Sequence, residues 1–234
     1  MLLVFGLMAS ALLLMCQSDP SIEPPEPAPP AEKLDILALG DSYTKGESVP
    51  WANNFPNQLA DSLKKDGREV SGVRIIAQTG WRTDNLRNAI EAAGASIGDS
   101  TFSIVTLCIG VNNQYQGGTP ELYQPEFEAL LQMAIERAGG RKERVFVLSI
   151  PDWAFTPYGQ NFGDPAQTSQ EIDQFNAINR AVSLQAGVQY LDVTAISRMG
   201  LDRPVLVASD GLHPSAQQYK EWVTALLPAV RASL

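Results

Sequence analysis

Five short apolar runs alternate with segments of helical periodicity from residue 33 onward, and this alternation limits the folds open to the chain. Unbroken runs of Val, Ile and Leu are typical of strands covered on both faces, as in a parallel sheet. Parallel strands need crossover connections, which helices usually supply. The pattern predicts a three-layer α/β/α sandwich of flavodoxin-like type with about five parallel strands. The runs are LDILALG (34–40), GVRIIAQTG (72–80), FSIVTLCIG (102–110), RVFVLSI (144–150) and GVQYLDV (187–193).

The segments between the runs carry helix signals. FPNQLADSLKKDG has Pro56 near its start and Gly67 after its end, an asymmetry typical of helices. Apolar stripes at helical spacing surround Phe127, Ile172 and Trp222, and each is predicted to pack on the sheet. Ligands of such folds bind beyond the carboxyl ends of the strands. The segments GDS, TGW, GVNN and PDW, which follow the first four runs, are therefore predicted to line one crevice.

Composition narrows the choice of partners. A chain of 234 residues with 44% hydrophobic residues can bury one sizeable core, and we expect one domain over residues 33–234. The net charge of −9 argues against nucleic acid and anionic membrane surfaces as partners. One His and two distant cysteines, Cys16 and Cys108, do not form a zinc motif, and no EF-hand loop is present. We predict no metal and no cofactor; a carboxylate-bound Mg²⁺ or Ca²⁺ stays open, and so does the oligomeric state.

Residues 1–16 are interpreted as an export signal. Fifteen uncharged residues are too few to span a bilayer and lead directly to Cys16, which resembles the lipid-attachment site of a bacterial lipoprotein. Leu14 and Met15 stand where small residues are usual, so a plain signal peptide, an uncleaved anchor and a misplaced start codon remain alternatives. Residues 17–32 are Pro-rich and predict an extended linker, or simply a disordered terminus. We expect an exported bacterial protein, held at the membrane only through this anchor.

The string GDSYT places Ser42 at the exit of the first predicted strand. A serine nucleophile must protrude where a substrate reaches it, and Gly40 allows a sharp turn there. The alternative is an ordinary turn or helix cap. A second serine, Ser96 in GASIG, matches the G-x-S-x-G pattern but follows a helical segment and not a strand, so we interpret GASIG as a helix terminator.

The only histidine of the chain, His213, lies three residues after Asp210 in SDGLHPS. A catalytic histidine needs a carboxylate on its other ring nitrogen, and a turn brings these two side chains to one cleft. Pro214 is predicted to begin the next helix. The alternative is a surface histidine in a polar loop.

Taken together, these blocks resemble the SGNH, or GDSL, hydrolase family. The resemblance covers residues 40 to 213, with Tyr43 where the family commonly has Leu and Asn113 where it usually has Asp. The matching residues are Gly40, Asp41, Ser42, Tyr43, Gly80, Gly110, Val111, Asn112, Asp210 and His213.

The resemblance implies an ester hydrolase with Ser42 as nucleophile, His213 as base and then acid, and Asp210 as the orienting group. The oxyanion hole would use the backbone N–H groups of Ser42 and Gly80 and the side-chain amide of Asn112. The departure at Asn113 leaves the oxyanion donor intact but changes the local hydrogen bonding.

The identity of the substrate stays open. Tyr43, Trp81, Tyr115, Trp153 and Tyr158 are candidates for a substrate pocket, or for core and lid packing. A small-molecule or glycan ester, such as an O-acetylated carbohydrate, fits the family. Alternatives are an acyltransferase, a lysophospholipase or thioesterase with the same triad, and a non-catalytic surface-binding lipoprotein.

Overall fold

A computed structural model describes residues 33–98 and 100–234, at whose centre lies a parallel five-stranded sheet. The strand order is β2-β1-β3-β4-β5, which is the flavodoxin-like order. The predicted three-layer fold is therefore confirmed. The strands are β1 (Leu34–Gly40), β2 (Val70–Ala77), β3 (Ile104–Cys108), β4 (Val145–Leu148) and β5 (Gln189–Leu191).

Burial of the strands follows their position in the sheet. Every residue of β3 and β4 is buried, and β1 has a single partly exposed residue. The edge strands β2 and β5 are partly exposed. Three of the five apolar runs, those of β1, β3 and β4, thus correspond to strands that are covered on both faces. The runs 72–80 and 187–193 hold the edge strands, for which the expectation of cover on both faces was wrong.

Helices cover the sheet, with α2 packed against α9 and α5 packed against α3 and α7. The predicted apolar stripes lie inward: Phe127, Ile172 and Trp222 are fully buried. None of the described helices combines the length and apolar character needed to cross a membrane. The helices are α1 (Ser42–Lys45), α2 (Phe55–Lys65), α3 (Thr83–Ile97), α4 (Val111–Tyr115), α5 (Pro120–Arg137), α6 (Pro157–Asn161), α7 (Pro165–Ala186), α8 (Thr194–Ser197) and α9 (Ala216–Ser233).

Of two local predictions, the structure confirms the one for GASIG and contradicts the one for Pro214. GASIG forms the end of α3, which stops at Gly98 with a φ of 52°, so Ser96 is preceded by helix and not by a strand. Pro214 does not begin α9: it pairs with Val207 in an isolated antiparallel bridge. Ser215 caps the helix instead, because its side chain accepts the backbone N–H of Gln218, a role that proline cannot fill.

The predicted signal and linker, residues 1–32 with Cys16, lie outside the described residues.

Gly40 joins β1 to α1 where no side chain fits. It pairs with Ala77 of β2 on one side and with Cys108 of β3 on the other. A Cβ at Gly40 would lie 2.1 Å from Thr44 Oγ1 and 2.3 Å from the Cys108 carbonyl oxygen. The strand can therefore turn into α1 at this position only without a side chain.

We predict that Gly40→Ala lowers the free energy of unfolding by roughly 1–3 kcal/mol, because the methyl group meets backbone that cannot retreat. The matched control is Gly72→Ala in β2, where an added Cβ meets nothing within 4 Å. The control should change stability by less than about 1 kcal/mol. Urea unfolding of both variants makes the comparison, and equal effects would contradict the packing argument.

Candidate active site

One cavity of about 240 Å³ opens at the carboxyl ends of the strands. The loops after β1, β2, β3 and β4 all contribute to it, together with the loop before α9. Four of the five site residues inferred from the sequence thus line the cavity together, although they lie far apart in the chain: Ser42, Gly80, Asn112 and His213. The fifth, Asp210, contacts His213. The lining residues are Ser42, Tyr43, Thr79, Gly80, Val111, Asn112, Tyr115, Trp153, Tyr158, Leu212 and His213.

The GDSYT segment presents Ser42 as the first residue of α1. The Asp41 side chain caps this short helix by accepting the backbone N–H of Tyr43 at 3.0 Å. Gly46, with a φ of 83°, ends the helix after four residues. The turn interpretation and the nucleophile interpretation of this segment are therefore compatible: the cap is what holds Ser42 against the cavity.

Asp210 and His213 are brought together by a tight turn. His213 Nδ1 lies 2.6 Å from Asp210 Oδ2, while Oδ1 accepts the backbone N–H groups of Leu212 and His213, each at 3.0 Å. Partial burial acts to raise the pKa of Asp210, but hydrogen bonds from Ser48, His213 and the turn outweigh it and lower the pKa to about 2. The carboxylate is thus ionised at neutral pH. On its other side the His213 ring meets the edge of Tyr43, with ring centroids 5.7 Å apart.

The candidate oxyanion donors face the same cavity. Gly80 follows β2 with a φ of 83°, in the left-handed region that favours glycine. Asn112 donates one amide hydrogen to the Trp81 carbonyl at 2.9 Å, which orients the side chain. The second amide hydrogen is left for the cavity that Asn112 lines.

Asn113 has a defined structural role in this chain. Its Nδ2 donates to Thr83 Oγ1 at 2.7 Å, and its Oδ1 accepts the backbone N–H of Thr83 at 3.1 Å. The Thr83 hydroxyl in turn donates to Glu126. A carboxylate at residue 113 could not donate to Thr83 Oγ1, so the amide fits a site that an aspartate would have to rearrange. Asn113 thereby ties α4 to the start of α3, on either side of the Gly80 loop.

An aromatic wall closes one side of the cavity. The hydroxyl groups of Tyr115 and Tyr158 lie 2.9 Å apart, and the Trp153 ring packs edge-on against Tyr115 at 5.4 Å. Trp153 is fixed by a hydrogen bond from its Nε1 to Gln114 at 2.9 Å. Trp81, the fifth aromatic candidate, is not among the lining residues; its ring packs against the core.

Sequence reasoning missed one polar contact of the site. Ser48 Oγ donates to Asp210 Oδ2 at 2.6 Å across 162 residues of chain. No motif marks Ser48, since the contact depends on how two loops meet. Among the described residues, no group of three or more His, Cys, Asp or Glu side chains is arranged to hold a metal ion.

Asp41, which directly precedes Ser42, is a fully buried acid with 1% of its surface exposed. Burial raises its pKa to about 7, and the hydrogen bond from the Tyr43 backbone offsets only part of that effect. Its Oδ2 has no hydrogen-bond partner among the described residues. Burial likewise raises the pKa of the neighbouring Cys108 thiol, which is therefore an inert core group.

Comparison with known proteins identifies a matching family and other proteins of similar fold. Residues 38–221 match the model of the GDSL-like lipase/acylhydrolase family. An arylesterase of Vibrio mimicus is 21% identical over 193 residues, which cover 82% of this chain and 84% of the relative.

Solved structures share the fold at low sequence identity. The crystal structure of TesA has a TM-score of 0.65 and 17% identity, and the match covers 86% of this chain and 99% of the other. An acetylxylan esterase from Geobacillus stearothermophilus has a TM-score of 0.64 and 15% identity, covering 86% and 95%. Identities this low establish the shared fold alone.

We predict that the buried charge of Asp41 makes stability depend on pH. Its pKa in the folded chain is about 7, above the ~3.9 of an unfolded aspartate, so its contribution to stability is full below about pH 4. That contribution is lost as the pH rises through 7. Asp41→Asn keeps an oxygen for the Tyr43 N–H and carries no charge. The free energy of unfolding of the wild type should therefore fall relative to the variant by about 1.4 kcal/mol per pH unit between the two pKa values.

Urea unfolding of both proteins at pH 5 and pH 7.5 measures this difference. A gap between the two proteins that is the same at both pH values would contradict the buried-charge account.

Proposed function

The chain belongs to the GDSL-like lipase/acylhydrolase family and is an ester hydrolase. From that premise we propose that it is a serine esterase, which cleaves short-chain carboxylic esters through an acyl-enzyme intermediate. The observation that carries the proposal is the 2.6 Å contact between Asp210 and His213 beside a cavity that Ser42 also lines. A nucleophile, a base and an orienting carboxylate are the minimum set for this chemistry.

In the proposed first half-reaction, Ser42 Oγ attacks the ester carbonyl carbon while His213 takes the hydroxyl proton. The negative charge that develops on the carbonyl oxygen is stabilised by the N–H groups of Ser42 and Gly80 and by the Asn112 amide. When the tetrahedral intermediate collapses, the carbon–oxygen bond to the alcohol breaks and His213 returns the proton to the leaving oxygen.

In the second half-reaction, a water molecule attacks the acyl group on Ser42 and His213 takes a proton from that water. Collapse breaks the bond to Ser42 Oγ, which regains its proton from His213, and the carboxylic acid leaves. Asp210 keeps the imidazole in the tautomer that has its Nε2 free to accept. Only neutral His213 can act as base, because the protonated ring has no nitrogen left to accept the Ser42 proton.

The shape of the cavity supports a small acyl group. Its volume of about 240 Å³ is below that of most drug-sized pockets, and the hydroxyl contact between Tyr115 and Tyr158 bounds it on one side. Tyr115 is half exposed, so its outer face is available to a ring of the alcohol. We therefore propose an acetyl or similarly short acyl group on a sugar or aryl alcohol.

The place of action is a further part of the proposal. The apolar segment before Cys16 supports export, and the Pro-rich residues 17–32 would separate the domain from a membrane anchor. An acyltransferase would use the same triad, with an alcohol in place of water in the second half-reaction.

The triad is tested with Ser42→Ala. Removal of the nucleophile should lower the hydrolysis of p-nitrophenyl acetate on the order of 10⁴- to 10⁶-fold, and should abolish labelling by a fluorophosphonate probe. Ser62→Ala, a change at a serine of α2 that does not line the cavity, is the matched control and should retain both. Full rate in Ser42→Ala would refute the assignment. Transfer of the acyl group to added alcohols in preference to water would identify the chain as an acyltransferase.

The acyl-size limit is tested with a series of p-nitrophenyl esters from acetate to decanoate. We expect kcat/KM to fall beyond about four acyl carbons, because the aromatic wall stops further methylenes from being buried. Tyr115→Ala should open the wall and restore up to about fourfold in kcat/KM per added methylene, which is the equivalent of 0.8 kcal/mol.

Leu122→Ala, at an exposed residue of α5 that does not line the cavity, is the control for this series and should keep the size limit. A wild-type preference for acyl chains longer than about eight carbons would rule out the short-acyl proposal. Release of acetate from acetylated glycans, set beside aryl acetates, distinguishes the two kinds of alcohol.

A further inference from the structure

Ser48 has an unusual backbone conformation for its residue type. It lies in the loop after α1 with a φ of 64°, and within residues 33–98 and 100–234 no other residue except glycine has a positive φ. The left-handed region costs a serine on the order of 1 kcal/mol relative to glycine. A turn that needed only this backbone shape would be more stable with glycine, so the side chain must do something that glycine cannot.

The Ser48 side chain contacts the acid of the triad. Its Oγ donates to Asp210 Oδ2 at 2.6 Å, and this is the same oxygen that faces His213 Nδ1. The other oxygen, Oδ1, accepts two backbone N–H groups from the Asp210 turn itself. The other donors to this carboxylate belong to the turn 210–213 itself. Among the hydrogen bonds of the described residues, Ser48 is therefore the donor from outside that turn.

The loop that carries Ser48 is held in place by its neighbours. Glu47 accepts hydrogen bonds from Thr79, beside Gly80, and from Lys45 at 2.9 Å. The same loop thus contacts the nucleophile helix, the oxyanion loop and the triad acid. The ionisable groups that face the Asp210–His213 pair from other elements are Glu47 in this loop, Tyr43 of α1 and Tyr219 of α9.

We propose that Ser48 is a positioning residue that acts through Asp210: its hydroxyl takes up part of the charge of Oδ2, while the two backbone N–H groups on Oδ1 keep the carboxylate beside His213. The inference rests on the proposed function, because it presupposes that His213 acts as the base. Without the hydroxyl, Oδ2 shares less of its charge and holds the protonated imidazole more strongly, so neutral His213 is available only at higher pH.

The test uses two variants of the full chain that separate backbone from hydroxyl. Ser48→Gly relieves the backbone and removes the hydroxyl, whereas Ser48→Thr keeps the hydroxyl and adds a branched carbon in a region that such residues avoid. Ser48→Gly should therefore lose activity without losing stability, whereas Ser48→Thr should lose stability and keep its activity. Ser48→Ala, which has a Cβ and no hydroxyl, is the third variant.

For Ser48→Gly we expect a Tm at or above that of the wild type, a kcat reduced about 3- to 10-fold and a KM little changed, since one hydrogen bond is lost. The acid limb of the kcat/KM profile should move to higher pH. Ser48→Thr should have a lower Tm with near-wild-type kcat and acid limb. Ser48→Ala should match Ser48→Gly in activity and fall below it in Tm.

Three results would overturn the inference: wild-type kcat in Ser48→Gly, a reduced kcat with an unmoved acid limb, or an equal loss in Ser48→Thr. The first would mean that the hydroxyl is dispensable. The second would mean that it acts on something other than the base, and the third that only the loop shape matters.

A measurement without substrate separates this inference from the proposed function. His213 is the only histidine of the chain, so an untagged protein gives one set of imidazole resonances whose titration can be followed by NMR. The titration midpoint should move to higher pH in Ser48→Gly and stay in place in Ser48→Thr; an unmoved or lowered midpoint in Ser48→Gly overturns the inference. If the wild type neither hydrolyses esters nor labels at Ser42, the proposed function fails, while the titration still decides the role of Ser48.

Discussion

The packing of β1 against its two neighbours is the constraint on which the whole site depends. β1 pairs with β2 and β3 over its length, and its last residue, Gly40, lies between Ala77 and Cys108. Because Thr44 and the Cys108 carbonyl leave no room for a Cβ there, the chain must turn directly into α1. The position of Ser42 is thereby set relative to the loops that follow β2 and β3, which carry the candidate oxyanion donors.

The site combines rigid turns with a few long-range hydrogen bonds. Asp41 caps α1, and the Asp210 turn orders itself through its own backbone N–H groups. Each of these turns is local and would place its side chain without help. Their mutual placement depends on contacts between loops, and one of these is the hydrogen bond from Ser48, in the loop after α1, to Asp210.

The burial of Asp41 at this edge of the sheet lets it cap α1 but disfavours its charged form. Asp41 provides the helix cap from a position with almost no solvent, and burial raises its pKa to about 7. The cap therefore places a poorly solvated acid directly before Ser42. The aromatic wall is less constrained, since Tyr115 is half exposed and its hydroxyl group contacts that of Tyr158. Variation in substrate among proteins of this fold is easier to accommodate on such a wall than in the turn beneath Ser42.

The sequence by itself determined the parallel sheet, because five short runs of apolar residues alternate with segments of helical periodicity. It also determined the pairing of Asp210 with His213, since three residues of turn bring both side chains to one side. Tertiary structure alone decided that Tyr158 lines the cavity and Trp81 does not, and that Asn113 ties α4 to Thr83. It also decided that Ser215 caps α9 while Pro214 pairs with Val207. These outcomes depend on contacts between residues distant in the chain or on competition for a cap, and neither leaves a periodic signal in the sequence.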